Sequence, residues 1–208
     1  MDLMSNQNVL FYLASYIIAG IPFGFILAKL IAGVDVREEG SGNIGATNVL
    51  RVLKQKAPHL ATKLSILTLL LDTLKGLVIL LIANAMGLSD SVLWLIAILS
   101  VLGHCFSPFL MFEGGKGVAT GLGVMGFMLP FETLIGVVVW LFFAKVLKIV
   151  SLASIIGVLA LLVSSYILHP DVPNIHTHAP IWIISWLIIY KHIPNIVRLF
   201  KKEESKVA

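Results

Sequence analysis

The sequence predicts an all-α, polytopic integral membrane protein, and three observations carry that reading. Of 208 residues, 58% are hydrophobic and only 12% are charged, against about 45–50% and about 25% in ordinary soluble domains. The mean hydropathy is +0.98, too high for the apolar surface to be hidden in one globular core. Lys and Arg gather in alternate connections between the apolar runs, as the positive-inside rule requires of a chain threaded through a bilayer.

A bilayer core of about 30 Å needs roughly 20 apolar residues per helix. On that measure spans are expected at 8–32, 61–84, 91–112, 117–130, 132–148, 152–168 and 179–191, within a single domain covering 1–208. The fourth and seventh are short, so seven is the preferred count and six the alternative. The opening residues, MDLMSNQNVLFYL, lack the basic flank and small-residue cleavage site of a signal peptide, and the first run reads as a retained span. Pro130 is expected to mark the turn between the fourth and fifth, with Phe131 and Glu132 leaving little loop.

Orientation follows from the basic residues. The N-terminal tail and the connections AMGLSDS, LPFE and HPDVPNIHTHAP carry no Lys or Arg. Arg37, Arg51, Lys54, Lys56 and Lys63 crowd the first connection, Lys116 lies in the third, Lys145 and Lys148 flank the fifth, and Lys191 to Lys206 end the chain. The N-terminus is therefore expected outside and the C-terminus in the cytoplasm. This arrangement explains the net charge of +4 without nucleic acid. One cysteine, Cys105, excludes an intrachain disulfide and a multi-cysteine metal site.

Every polar, glycine-rich segment then falls on the cytoplasmic face. In EEGSGNIGATNVLR, the glycines let backbone adopt left-handed conformations and approach a ligand closely. A helix is expected from Thr47, with Thr47, Asn48 and Arg51 on one face. N–H groups at a helix start plus an arginine suit a phosphate or carboxylate; the alternative is an asparagine-capped turn at the membrane surface. GGKG at 114–117 fails the nucleotide-loop pattern, because Leu110 stands where Gly is required and Gly117 where Ser or Thr is required. A lysine among glycines at a helix start still suits an anion. His104 reads as a hydrogen-bonded structural histidine, and Asp72 with Lys75 as a mutual ion pair inside the membrane. In YKHIPNIVRLF, His192, Asn195 and Arg198 lie three apart on a short helix starting near Pro194. Ser151 and Ser154 open another helix, where either could cap. The outer His169, Asp171, His176 and His178 lack the spacing of a metal site.

Taken in order, IPFG, SGNIGATNVLR, LDTLKG, GHCFSPF…GGKGVAT, the Ser151 turn and HIPNIVRL resemble one family along nearly the whole chain. It is the bacterial membrane acyltransferases that move an acyl group from acyl phosphate to glycerol 3-phosphate, the PlsY family. The resemblance implies seven spans, an external N-terminus and an active site on the cytoplasmic side of the inner membrane. Catalytic roles fall on Ser41, Arg51, Lys116, His192 and Asn195, in contact with glycerol 3-phosphate or completing its phosphate pocket. Substrate-binding roles fall on Asn43, Gly45, Thr47 and Asn48 in the first loop, on Gly114, Gly115 and Thr120 in the second, and on Ser151. Two departures stand out: Glu113 occupies a place where Lys or Arg commonly precedes GGK, and HIPN replaces a more polar stretch.

The implied partners are acyl phosphate, glycerol 3-phosphate and membrane lipids, with no cofactor, no metal and no nucleic acid; the oligomeric state stays open, with a monomer plausible. The chemistry is consistent with this. Acyl phosphate carries its own good leaving group, so the remaining task is to hold two anionic substrates together. No Ser–His–Asp set, matched cysteine or HxxxxD box is evident. The alternative is a small transporter of a phosphorylated or anionic solute, which the buried Asp72 and Lys75 would suit. No inverted repeat accompanies them, and the polar motifs gather at one face and not at the midplane.

Overall fold

The computed structural model describes residues 6–205 and is helical throughout that range, with no strand among the described residues. Lys206 of the basic tail and the first five residues of the N-terminal tail lie outside it.

The first apolar run divides into α1 (Gln7–Gly20) and α2 (Phe23–Ala32). Pro22 lies at the break because its ring removes an N–H donor and blocks continuation of the helix. At the break the Ile21 carbonyl accepts both the Phe23 N–H at 3.1 Å and the Lys75 ammonium at 2.9 Å. An amphipathic α3 (Ala46–Lys56) follows the polar loop, and α4 (Pro58–Ala85) begins on a proline, whose missing N–H costs nothing in a first turn. Next come α5 (Asp90–Cys105), a 3-10 turn at Pro108–Leu110, and the short α6 (Val118–Met128). The hairpin α7 (Pro130–Leu147) and α8 (Val150–Leu168) leads to α9 (Ala179–Lys191), which bends by 52° into α10 (Ile193–Phe200).

Five segments are long and apolar enough to cross a membrane: Gln7–Ala32, Pro58–Ala85, Asp90–Leu110, Pro130–Leu147 and Val150–Leu168. The bent pair α9–α10 makes a sixth if counted as one span. The expected 117–130 span is the 11-residue α6, only about 16 Å long at 1.5 Å per residue. The turn expected at Pro130 falls instead on Leu129, and Pro130, Phe131 and Glu132 are already helical.

α5 is the central post: Ile96, Ala97, Val101 and Cys105 are fully buried, and α1, α4, α6 and α9 pack around it. Leu80, Val124 and Ile181 join the same core. The outward faces of α1, α4, α7, α8 and α9 expose Leu13, Leu70, Leu134, Phe142, Ile167 and Trp186, an apolar belt suited to lipid. A second, smaller core of Val36, Ile44, Val49, Val52, Leu53 and Leu64 fastens the first loop and α3 onto α4. Ser65 adds a hydrogen bond to the Ala46 carbonyl at 2.9 Å.

Lys75 and Asp72 form the expected ion pair at 2.8 Å. The histidines between α8 and α9 each have a partner or a stacking surface. His169 pairs with the buried Glu132, His176 with Asp171 at 2.7 Å, and His178 stacks on Tyr166 with ring centroids 3.8 Å apart.

Candidate active site

The loop before α3 is shaped from within by one side chain. Asn48 is buried, and its amide nitrogen is shared among the carbonyls of Val36, Glu39 and Asn43 at 2.9, 3.2 and 2.8 Å. Its Oδ1 accepts the Ser41 N–H at 2.9 Å. Gly40 and Gly42, at φ +62° and +71°, supply left-handed turns that a side chain would strain. Asn48 is thus the organiser of the loop, its side-chain amide engaged by four backbone groups. Asn43 holds the next turn, its Oδ1 accepting the Gly45 N–H at 2.9 Å.

The second loop hangs from the end of α5. Gly114 and Gly115 donate their N–H groups to the carbonyls of Cys105 and His104 at 3.2 and 3.0 Å. Both must be glycine: an added Cβ would lie 2.0 Å from the His104 carbonyl oxygen in one case and 2.1 Å from the His104 ring in the other. Lys116 follows at once, and Gly117, at φ +82°, opens α6.

These loops meet at a cavity of about 450 Å³ lined by ten of the expected site residues: Ser41, Asn43, Gly45, Thr47, Asn48, Arg51, Lys116, Ser151, His192 and Asn195. The first turns of α3, α6 and α8 all contribute to its wall. The N–H groups of a first turn have no intrahelical partner, and the helix dipole adds partial positive charge there. Three such ends together with Arg51 and Lys116 make an anion-binding mouth. Beyond it the cavity turns apolar, running past Leu122 and Met125 of α6, Gly136 and Trp140 of α7, and Gly157 and Leu161 of α8. Residues of α4 and α7 both line it, Leu69 and Asp72 from the one and Gly136 and Trp140 from the other. At its edge, Leu69 of α4 and Leu122 of α6 keep 44% and 37% of their surface exposed.

A second cavity of about 340 Å³ shares Ser41, Asn43, Lys116 and Asn195 with the first and adds Gly114, Lys191 and Arg198. Three basic residues, Lys116, Lys191 and Arg198, border it, whereas the first is apolar beyond its mouth.

Burial pulls the Lys116 ammonium down to about 8. His192 is buried, and its Nδ1–H donates to the Ile188 carbonyl at 2.7 Å. A carbonyl only accepts, so the proton sits on Nδ1 and leaves Nε2 free. Two expected site residues fall outside both cavities. Thr120 donates its hydroxyl to the Asp72 carbonyl at 2.9 Å and links α6 to α4. Gly115 faces the His104 ring.

Glu204 was not anticipated. Its carboxylate accepts from the Ser151 hydroxyl, the Asn195 amide and the Arg198 guanidinium at 2.7, 2.6 and 2.7 Å, folding the tail back over the cavity. Burial opposes its ionisation, but these three hydrogen bonds outweigh that and hold the carboxyl below its usual range. Arg198 three residues after Asn195 was the available signal; a glutamate in a run of exposed charges gave none. Asp72 and His104 also line the cavity. His104 departs from expectation, for its Nδ1 has no hydrogen-bond partner among the described residues.

Residues 9–202 match the family of glycerol-3-phosphate acyltransferases. The chain is 57% identical to the glycerol-3-phosphate acyltransferase of Nitratiruptor sp. over the full length of both. It is 58% identical to that of Sulfurimonas denitrificans over 207 residues, again the whole of both chains. Its fold is similar to the crystal structure of PlsY, an integral membrane glycerol 3-phosphate acyltransferase, in the glycerol 3-phosphate form. That match has a TM-score of 0.87 and 37% identity, and covers 98% of this chain and 96% of the other. The lysophosphatidic acid form of PlsY superposes with a TM-score of 0.84. The chain belongs to the glycerol-3-phosphate acyltransferase family.

Proposed function

We infer that this protein transfers an acyl group from acyl phosphate to the 1-hydroxyl of glycerol 3-phosphate, releasing 1-acylglycerol 3-phosphate and inorganic phosphate. One observation carries the reading: two cavities, one apolar and one basic, share Ser41, Asn43, Lys116 and Asn195. The apolar arm suits the acyl tail, the basic arm suits glycerol 3-phosphate, and the shared residues lie where the two substrates meet. Arg51, Lys116 and the first turns of α3, α6 and α8 offset the repulsion between two phosphates, which turns an encounter into an oriented attack.

The acceptor hydroxyl attacks the acyl carbonyl carbon; the bond from that carbon to the phosphate oxygen breaks, and the proton passes to the departing phosphate. Ser41 and Asn195 orient the phosphates, and the neutral His192 offers Nε2 to a substrate hydroxyl. No acyl-enzyme is formed, and Cys105, buried in the core, takes no part. The site sits at the cytoplasmic face of a bacterial inner membrane. The chain crosses seven times from an external N-terminus, counting α1–α2 as one broken span and α6 and α9 as short ones, with α3 and α10 lying at the inner surface. The alternation of basic connections supports this orientation.

Purified protein in detergent, given palmitoyl phosphate and glycerol 3-phosphate, is expected to release inorganic phosphate and 1-palmitoylglycerol 3-phosphate in equal amounts. Palmitoyl thioester should not replace the donor. Counterflow of glycerol 3-phosphate in proteoliposomes without any product would overturn the reading in favour of a carrier.

A further inference from the structure

Asp72, Lys75 and His104 are charged or ionisable groups in the membrane interior, and the reaction outlined above uses none of them. Lys75 is accounted for by Asp72 and the Ile21 carbonyl. His104 is not. It is 3% exposed, its Nδ1 lacks a hydrogen-bond partner among the described residues, and that atom lies 3.8 Å from Asp72 Oδ1. An unpaired buried polar atom is costly, and each one calls for an explanation.

The other end of the ring supplies one. A Cβ on Gly115 would meet His104 Nε2 at 2.1 Å, so the ring tip lies directly against the glycine. The His104 carbonyl also accepts the Gly115 N–H at 3.0 Å. The histidine therefore touches the loop through both backbone and ring, one residue before Lys116. A role as a base is disfavoured, because the ring tip meets backbone. A metal is disfavoured too, since no group of three metal-binding side chains forms there among the described residues.

We propose that His104 is a positioning residue for Lys116: its imidazole, oriented by Asp72, backs Gly115 and fixes where the lysine ammonium meets a substrate phosphate. The 3.8 Å separation is one small step from a hydrogen bond, and such contacts in unliganded sites commonly tighten on binding. A phosphate seated on Lys116 presses the loop onto the ring and brings Nδ1–H within reach of Asp72. This rests on the reading of the cavity as a phosphate site.

The test is a double-mutant cycle read by calorimetric titration of glycerol 3-phosphate into the purified protein, with wild-type turnover of palmitoyl phosphate measured in parallel. Lys116→Ala is expected to weaken binding by about 30-fold, the range of a hydrogen bond to a charged group. His104→Ala should weaken it by about 10-fold in the wild-type background but by less than about 2-fold beside Lys116→Ala, because residues acting through one contact are non-additive. A purely structural histidine would give the same loss in both backgrounds, and that result, or unchanged affinity in His104→Ala, overturns the proposal. If His104→Ala does not fold, Gly115→Ala loads the same contact from the loop side and enters the same cycle with the same expected result. Turnover with an additive cycle removes only the role of His104; absence of both binding and turnover in the wild type removes the phosphate reading beneath it.

Discussion

Lys116 is held where burial favours the neutral amine, with Glu204 opposing that effect and Arg198 and Arg51 reinforcing it. Its pKa of about 8 places its loss of charge near physiological pH. In the proposed reaction the ammonium is the form that binds phosphate, so kcat/KM should fall as pH rises through about 8. Bound phosphate favours the charged form, so the same limb in kcat should move to higher pH. Lys116→Arg, charged at every accessible pH, should lose activity yet lack that limb; a limb unchanged in the arginine variant would assign the titration elsewhere. Asn48 illustrates a different residue-scale lesson. Spacing correctly put it beside Thr47 and Arg51, but spacing cannot reveal that three loop carbonyls converge on its amide. Spacing is equally silent on Thr120, whose hydroxyl finds its partner 48 positions away.

Among the elements, the apolar runs were legible because each crossing needs a length of apolar sequence that little else produces. The break at Ile21–Pro22 was not, although IPFG was in plain view: a hydropathy window averages over a broken helix as readily as a straight one. The folding back of the tail was equally hidden. KKEES reads as solvated charge, and only the third dimension brings Glu204 to Ser151, Asn195 and Arg198. Glu204→Ala should free the segment after α10 and leave Asn195 and Arg198 without their shared acceptor. A stability loss of about 2–3 kcal/mol is expected from hydrogen bonds to a charged group, together with reduced turnover. Thermal unfolding in detergent and the acyl-transfer assay measure both effects.

For the whole molecule, the alternation of basic connections and the convergence of the loops make one claim about sidedness. Cys105 is fully buried, so a single added cysteine can report it against a silent background. Ser205→Cys should react with a membrane-impermeant maleimide only after the cytoplasmic face is opened, and Asn174→Cys in intact spheroplasts. The reverse pattern would invert the topology and detach the site from the cytoplasm.

The exposed edge of the cavity at Leu69 and Leu122 has a consequence for traffic. A chamber bordered by lipid on one side and by water on the other sorts departures by solubility: an amphiphile slides out along the bilayer, while a small ion diffuses away through the aqueous door. Neither exit obstructs the other, so in the proposed reaction an oily product would reach the membrane without first being lifted through water.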